Sequence, residues 1–276
     1  MDVFSADWLG ICRRAVAAQR AIFAATATSE ERTVYEGVGE GGDHTLAIDR
    51  RCEDVVFAEL DGLAAQGASF VAVSEERGEV SFGSGGDVRV VIDPIDGSLN
   101  ARRTIPSHSL SIAVASGASM ADVEFGFVHD FGADEEFAAR RGRGAMIGDR
   151  AARVSAEAEK LEVVGLESAE PEWSLPALQA LAGKAYRLRV VGSIAITASY
   201  VGSGRFDAML SLRSCRSVDA AAAQLIVREA GGEVAFGDLA LEAADLGLDA
   251  RYPIAAACGP AALATVRAAQ AASAAV

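Results

Sequence analysis

The feature that most constrains this chain is an apolar run that leads directly into two carboxylates, between residues 90 and 100 (VVIDPIDGSLN). The run predicts a buried strand, and Asp93 and Asp96 follow it. Pro94 fixes its own φ and restricts Asp93 to extended conformations, so both carboxylates can point into one site at the end of the strand. Gly97 permits a tight turn, and a helix that begins directly after it would present free amide groups to an anion such as phosphate.

Two further acidic positions lie at the edges of apolar elements. Glu75 and Glu76 follow the strand-like run 70–74, and Asp219 falls in the first turn of a strongly apolar helix predicted at Val218–Ala230. Taken singly, they are typical of an exposed strand end and of a helix cap. Taken with the pair at 93 and 96, they favour a site that binds a hard cation through oxygen ligands.

Composition excludes several classes of partner. The net charge of −14 argues against nucleic acid and against an anionic membrane surface as partners. It does not argue against a phosphate substrate, because bound divalent cations reverse the local sign of the site. We expect a cytoplasmic protein with reduced, buried thiols, since no apolar run reaches membrane-spanning length and the chain opens with acidic residues. The four scattered cysteines form no CxxC pair: Cys12, Cys52, Cys215 and Cys258.

The rhythm of predicted elements changes between residues 150 and 160. After two helices, one from Asp7 to about Ala25 and one capped by Asp49, the middle of the chain is typical of one sheet built from hairpins. Its predicted strands are Phe70–Val73, Val88–Ile92, Leu110–Ala115, Val123–Val128 and Glu135–Ala138. Strands and helices alternate from Lys160 onward, with predicted strands at Leu161–Val164, Arg187–Val191, Asp207–Leu212 and Ile254–Ala257. The pattern predicts an α+β protein with two subdomains, residues 1–155 and 156–276.

The acidic motifs, in their order along the chain, resemble the inositol monophosphatase superfamily. Its signature DP-[IL]-D-G-[ST]-x-N is matched by Asp93–Asn100, its upstream acidic pair by residues 75–76, and its C-terminal Asp and EAGG by Asp219 and residues 229–232. An early G-x-D element is matched by Gly41–Asp49. Residues 100–106 and 202–207 are similar to the archaeal-like branch that acts on both inositol monophosphate and fructose 1,6-bisphosphate. The resemblance implies a layered α-β-α-β-α sandwich, two or three Mg²⁺ per active site and a homodimer.

The same resemblance implies roles for individual residues. The metal ligands would be Glu75, Asp93, Asp96, Asp219 and the backbone carbonyl of Ile95. Asp43, Glu75 and the hydroxyl of Ser98 would form the environment of the attacking water. Contacts to the substrate and its phosphate would come from Asp96, Gly97, Ser98, Gly192, Ser193 and Arg213.

The choice of substrate stays open at this point. The family's usual sugar-contacting carboxylate corresponds to Ser211, and the loop that follows carries Arg213 and Arg216. These arginines are either ordinary surface residues or part of a pocket for a second anionic group. The resemblance implies a Mg²⁺-dependent phosphatase acting on a small phosphorylated metabolite, such as inositol monophosphate or a related sugar phosphate. The alternatives are a fructose 1,6-bisphosphatase, a phosphatase of NADP or 3′-phosphoadenylate, and a weakly catalytic regulator that binds metal and phosphate.

Overall fold

The computed structural model describes residues 1–38 and 44–274, and this part of the chain contains eight α-helices. They are α1 (Trp8–Ala25), α2 (Ser29–Arg32), α3 (Ala47–Ala65), α4 (Ser98–Arg102), α5 (Pro171–Leu181), α6 (Ile194–Gly202), α7 (Ser217–Glu229) and α8 (Pro260–Ala274). Across the described helices, none is both long and apolar enough to cross a membrane. All four cysteines are free and buried, as expected.

Seventeen strands lie in the same described ranges. The first ten are β1 (Tyr35–Val38), β2 (His44–Leu46), β3 (Phe70–Ser74), β4 (Gly78–Phe82), β5 (Arg89–Asp96), β6 (Ser109–Ala115), β7 (Val123–Asp130), β8 (Glu135–Arg140), β9 (Gly144–Ile147) and β10 (Arg150–Ala152). The remaining seven are β11 (Leu161–Glu167), β12 (Ala185–Arg189), β13 (Ala208–Ser211), β14 (Cys215–Arg216), β15 (Glu233–Phe236), β16 (Arg251–Tyr252) and β17 (Ile254–Ala257).

The middle of the chain forms one eight-stranded sheet in the order β10-β9-β8-β7-β6-β5-β3-β4. Neighbouring strands are antiparallel except β3 and β5, which are parallel. The chain turns from β3 into the antiparallel edge strand β4 and turns again into β5, so β3 and β5 run in the same direction. The prediction of one hairpin-rich sheet is therefore confirmed. Strands β4, β9 and β10 were not predicted, since they are short and have little apolar alternation.

Strand β5 separates two cores by the alternation of its side chains. Val90 and Ile92 join the core that contains α1 and α3, whereas Val91 joins the core that contains α6 and α7. Side chains two residues apart share a face of a strand, so Asp93 faces the same layer as Val91. The acidic end of β5 is therefore directed toward α6 and α7, the central helical layer.

Beyond that layer lies a second sheet, in the order β12-β11-β13-β17-β15, and α5 and α8 cover its outer face. The layers follow the sequence α-β-α-β-α, as the resemblance implied. The first sheet ends at Ala152 and the second begins at Leu161. The division into subdomains 1–155 and 156–276 stays a prediction, because α7 belongs to the core between both sheets.

Helix α3 begins earlier than predicted. Its first residue is Ala47, Leu46 takes the cap position, and Asp49 is the third residue of the helix. The prediction that Asp49 is the N-cap is therefore wrong. Its carboxylate nevertheless satisfies a free backbone group, because it accepts a hydrogen bond from the Leu46 amide at 3.3 Å.

Helix α7 packs against the first sheet at very close range. Residues 220–223 are four consecutive buried alanines, and a Cβ placed on Gly126 of β7 would lie 2.6 Å from the carbonyl oxygen of Ala222. Since backbone cannot yield as a side chain does, Gly126 and the small helix face set the spacing between α7 and the sheet.

We expect Gly126→Ala to lower the free energy of unfolding by about 1–3 kcal/mol, the usual cost of overpacking a core. The matched control is Gly62→Ala in α3, where an added Cβ meets nothing within 4 Å. That change should be neutral or stabilising by up to about 1 kcal/mol, because alanine favours helix. Urea unfolding monitored by circular dichroism measures both; equal stability of the two variants would contradict the close packing.

Candidate active site

The acidic site begins where two parallel strands end. In the pairing of β3 with β5, Ser74 lies opposite Ile92. The residues that follow, Glu75 and Asp93, therefore emerge at the same edge of the sheet. Asp93 is only 2% exposed, and its carboxylate accepts a hydrogen bond from the Ile95 amide at 3.0 Å.

Helix α7 brings a further carboxylate to this edge. Asp219 lies in its first turn and accepts a hydrogen bond from the Arg216 amide at 3.0 Å, so it caps the helix as well as joining the cluster. Burial, followed by the charges of Asp96 and Glu75, raises the pKa of Asp219 to about 7. Burial, followed by Glu75, Asp96 and Asp219, raises the pKa of Asp93 well above its usual range. Burial and the charges of neighbouring carboxylates, Glu75 among them, thus oppose ionisation of Asp93, Asp96 and Asp219.

Asp96 is held by the start of α6. Its carboxylate accepts hydrogen bonds from the Ser193 hydroxyl and from the amides of Ile194 and Ala195, the last at 2.7 Å. Burial raises its pKa to about 6, while these hydrogen bonds act in the opposite direction. The Ser193 hydroxyl also accepts from the Ile196 amide, so it caps α6 while it binds Asp96. Asp96 therefore ties the first sheet to the central helices.

The turn after Asp96 lies close to the loop that precedes α6. Gly97 has φ of +90°, and a Cβ on it would lie 2.9 Å from the carbonyl oxygens of both Gly192 and Ser107. The Asn100 side chain donates to the Ser107 and Val191 carbonyls, each at 2.8 Å. Only glycine fits at position 97, because of both the left-handed backbone and the absence of space.

A cavity of about 710 Å³ opens beside Asp96. Its wall combines apolar side chains with one cation and three carboxylates, among the described residues: Leu99, Ile105, Trp173, Val190, Arg213, Asp96, Glu167 and Glu170. The Arg213 guanidinium lies over the Trp173 ring, 4.0 Å from its centroid. Within the described residues it makes no hydrogen bond or ion pair, so its donors are available to a ligand.

Comparison with known proteins identifies the family. The model of the inositol monophosphatase family matches residues 10–273. The fructose-1,6-bisphosphatase/inositol-1-monophosphatase of Methanothermobacter thermautotrophicus is 32% identical over 238 residues, which cover 82% of this chain and 83% of that protein. Nus factor SuhB of Haemophilus influenzae is 32% identical, with 74% and 76% covered. The crystal structure of an inositol monophosphatase-fructose 1,6 bisphosphatase, the MJ0109 gene product, shares the fold at 24% identity, with a TM-score of 0.83 and coverage of 96% and 100%.

The chain belongs to the inositol monophosphatase family. It is accordingly a phosphoric monoester hydrolase.

The predicted site residues of this inositol monophosphatase family member fall into three groups. Glu75, Asp93, Asp96 and Asp219 lie in one cluster, in which the charge of Glu75 helps to raise the pKa values of the three aspartates. Gly97, Gly192 and Ser193 surround Asp96, Ile95 lies between the two aspartates, and Arg213 lines the cavity. Ser98 is exposed at the start of α4, and Asp43 lies outside the described residues. The roles assigned to all of these residues stay predictions.

Asp49 is the member of the acidic site that sequence reasoning missed. One of its carboxylate oxygens caps α3, whereas the other is buried and, among the described residues, has no hydrogen-bond partner. Burial, followed by the charges of Glu76 and Glu75, raises its pKa to about 7. The signal in the sequence was the place of Asp49 at the end of the early G-x-D element. Asp49 was instead interpreted as a simple helix cap.

The donor chemistry of the cluster fits a hard divalent cation. Every candidate ligand is an oxygen, and Asp49 offers an unused buried oxygen beside Glu75 and Glu76. Over residues 1–38 and 44–274, no three His, Cys, Asp or Glu residues are already close enough to hold a metal ion. Glu75 is instead paired with the Arg216 guanidinium.

The positions of Ser211 and Glu167 relative to the cavity also differ from what the sequence pattern suggested. The Ser211 side chain accepts from the Ile254 amide at 2.9 Å within the second sheet, so it takes no part in the cavity. Glu167, which was not singled out, lies at the end of β11 and lines the cavity. It accepts hydrogen bonds from the Gly192 amide and the Thr197 hydroxyl, so it positions the start of α6.

We expect Glu167 to make stability depend on pH. Burial, partly offset by the Thr197 hydrogen bond, raises its pKa to about 7, against about 4.3 in an unfolded chain. Its ionisation therefore opposes folding: its contribution to stability is fully present below about pH 4 and is lost as the pH rises through 7. In Glu167→Gln the loss of unfolding free energy between pH 5 and pH 8 should be about 1–3 kcal/mol smaller than in the unsubstituted chain.

The measurement is urea unfolding across this pH range. Glu172→Gln, an exposed position in α5, is the control and should leave the pH dependence as it is. If Glu167→Gln shows the same pH dependence as the unsubstituted chain, Glu167 is ionised throughout. In that case the hydrogen bonds that its carboxylate accepts outweigh the cost of burying its charge.

Proposed function

We propose that this chain is a Mg²⁺-dependent phosphatase that hydrolyses a small phosphate monoester such as inositol monophosphate or a related sugar phosphate. The observation that carries the proposal is the cluster of mutually destabilised carboxylates beside the cavity. Like charges that are buried together lose stability unless a cation compensates them. A phosphate ester in the cavity would meet that cation at its reacting end.

The proposed ligands are the side chains of Glu75, Asp93, Asp96 and Asp219, with the carbonyl of Ile95. Bound Mg²⁺ supplies Lewis-acid catalysis: it makes water a stronger nucleophile at neutral pH and offsets charge on phosphoryl oxygens. Two or three ions per site are proposed from the family resemblance.

The chain's own residues would orient the water and the phosphate. The carboxylate oxygen of Asp49 that has no partner among the described residues would be a further acceptor for a proton of the attacking water. The Ser98 hydroxyl would orient the same water, with Asp43 nearby as predicted from the sequence. The amides of Gly97 and Ser98 would hold the phosphoryl oxygens as negative charge shifts onto them.

Asp93→Asn is the sharpest test of this proposal. The amide oxygen of asparagine can still accept from the Ile95 amide, so the fold should persist while one anionic ligand is lost. We expect phosphate release from inositol 1-phosphate to require Mg²⁺ and to fall about 100-fold or more in the variant. Asp87→Asn, an exposed position just before β5, is the control and should keep full activity.

The assay also separates the enzyme from a binding protein. Phosphate release would be measured with inositol 1-phosphate, fructose 1,6-bisphosphate, NADP and 3′-phosphoadenosine 5′-phosphate. Full turnover by Asp93→Asn would refute the metal assignment. No release from any ester by the unsubstituted chain would favour a regulator that binds metal and phosphate.

A second candidate substrate is fructose 1,6-bisphosphate. The Arg213 guanidinium is held over Trp173 on the cavity wall with its donors unused by described residues. A bidentate guanidinium suits a second phosphate group, and the Methanothermobacter relative is named for this substrate as well.

We therefore expect Arg213→Gln to raise KM for fructose 1,6-bisphosphate about 10-fold or more and to change KM for inositol 1-phosphate little. One charge-assisted hydrogen bond contributes about 1.5–3 kcal/mol, which corresponds to that range. Arg189→Gln, an exposed position on the neighbouring edge strand, is the control. An equal rise for both substrates would mean that Arg213 supports the cavity wall and does not select a second phosphate. The homodimer and the cytoplasmic location stay predictions from the family resemblance and composition.

A further inference from the structure

Arg216 places a positive charge inside the acidic cluster. Its guanidinium forms an ion pair with the Glu75 carboxylate, and the two side chains are only 13% and 20% exposed. The residues are 141 positions apart in the chain, so the pair is created by the fold. Glu75 is also one of the ligands proposed for Mg²⁺.

The backbone of Arg216 is held in place by two elements. It forms the N-cap of α7, where its amide donates to Asp219 at 3.0 Å, and it lies in β14, opposite Arg251 of β16. Arg216 thus contacts two of the four proposed carboxylate ligands: its guanidinium contacts Glu75 and its amide contacts Asp219. The side chain of Arg216 therefore starts from a backbone that is fixed on two sides, and its guanidinium is held by the ion pair with Glu75.

We propose that Arg216 is a tethered cation that competes with Mg²⁺ for Glu75. Without metal, its charge offsets part of the repulsion among the carboxylates and stabilises the site. A metal ion that takes Glu75 must break this ion pair, and the energy of the pair is subtracted from the energy of metal binding. Since arginine stays protonated at all physiological pH values, the charge that Arg216 brings to the site is constant.

This inference rests on the proposed function insofar as Mg²⁺ is the bound cation. A competing Arg216 and a purely orienting Arg216 predict opposite changes in Mg²⁺ affinity when the residue is removed. An Arg216 that only aims Glu75 at the metal would make Mg²⁺ binding weaker when it is removed. An Arg216 that competes makes binding tighter when it is removed.

The test is calorimetric titration of Mg²⁺ into the full chain after treatment with EDTA and dialysis. We expect Arg216→Gln to bind Mg²⁺ at least about fivefold more tightly, because a partly desolvated ion pair no longer has to be broken. Arg216→Lys, which keeps the charge and loses the planar fork, should fall in between. Arg251→Gln, on the paired strand and exposed, is the matched control and should bind as the unsubstituted chain does.

Thermal unfolding in EDTA gives a second readout without metal. Arg216→Gln should melt at a lower temperature, because the carboxylates lose their internal cation. Adding Glu75→Gln to that variant should restore part of the loss, since the unpaired charge is then absent. If Arg216→Gln does not fold, Arg216→Lys decides the question by the same two measurements.

Outcomes against the proposal separate into two kinds. In the first, Asp93→Asn abolishes Mg²⁺ binding, but Arg216→Gln binds Mg²⁺ no more tightly than the unsubstituted chain. This result overturns the competition and leaves the proposed metal site intact. A folded, unsubstituted chain that binds no Mg²⁺ overturns the metal site and with it the competition.

Discussion

The structure depends on the burial of like charges at the end of one strand. Asp93 and Asp96 lie in the last four residues of the buried strand β5, and desolvation raises the pKa of both. Carboxylates in such a place cost free energy unless hydrogen bonds or cations compensate them. The surrounding fold provides this compensation piece by piece: amides at the start of α6 for Asp96, the amide of Arg216 for Asp219, and a guanidinium for Glu75. The proposed metal ion would offset the part of this cost that hydrogen bonds and the guanidinium leave uncompensated.

Close packing determines whether these groups can meet. Helix α7 approaches the first sheet across Gly126 and a face of four alanines, and its first turn then reaches the ends of β3 and β5. A larger residue at either surface would move Asp219 away from Asp93, because interiors transmit displacement. On the other side, Asp96 binds the start of α6, which Glu167 fixes from the second sheet. The layers are thus joined through the polar groups of the site as well as through their apolar cores, which links the stability of the fold to the geometry of its chemistry.

The candidate site was predictable where its residues lie side by side in the chain, and less so elsewhere. Residues 93–96 end one strand and residues 97–98 follow it directly, so the limits that Pro94 and Gly97 impose bring them together regardless of the remaining fold. Asp49 was mistaken for a simple cap, since capping uses one oxygen and nothing local reveals the fate of the other. Glu167 was overlooked because its partners, the residues before and within α6, are distant in sequence. Ser211 was assigned to the substrate side, but strand pairing turns its hydroxyl into the sheet.

Local residue order therefore determined the element types, the hairpin-rich first sheet and the acidic end of β5, because apolar periodicity and the conformational limits of proline and glycine act over a few residues. The order of the motifs along the chain indicated the family, and with it the layers. Only the tertiary structure decided which carboxylates share a site and which arginine lies among them. Glu75 and Arg216 are 141 residues apart, and their contact follows from strand pairing and helix packing that no local pattern records. Electrostatic energy depends on distance in space and on exposure to water, and both are properties of the folded chain.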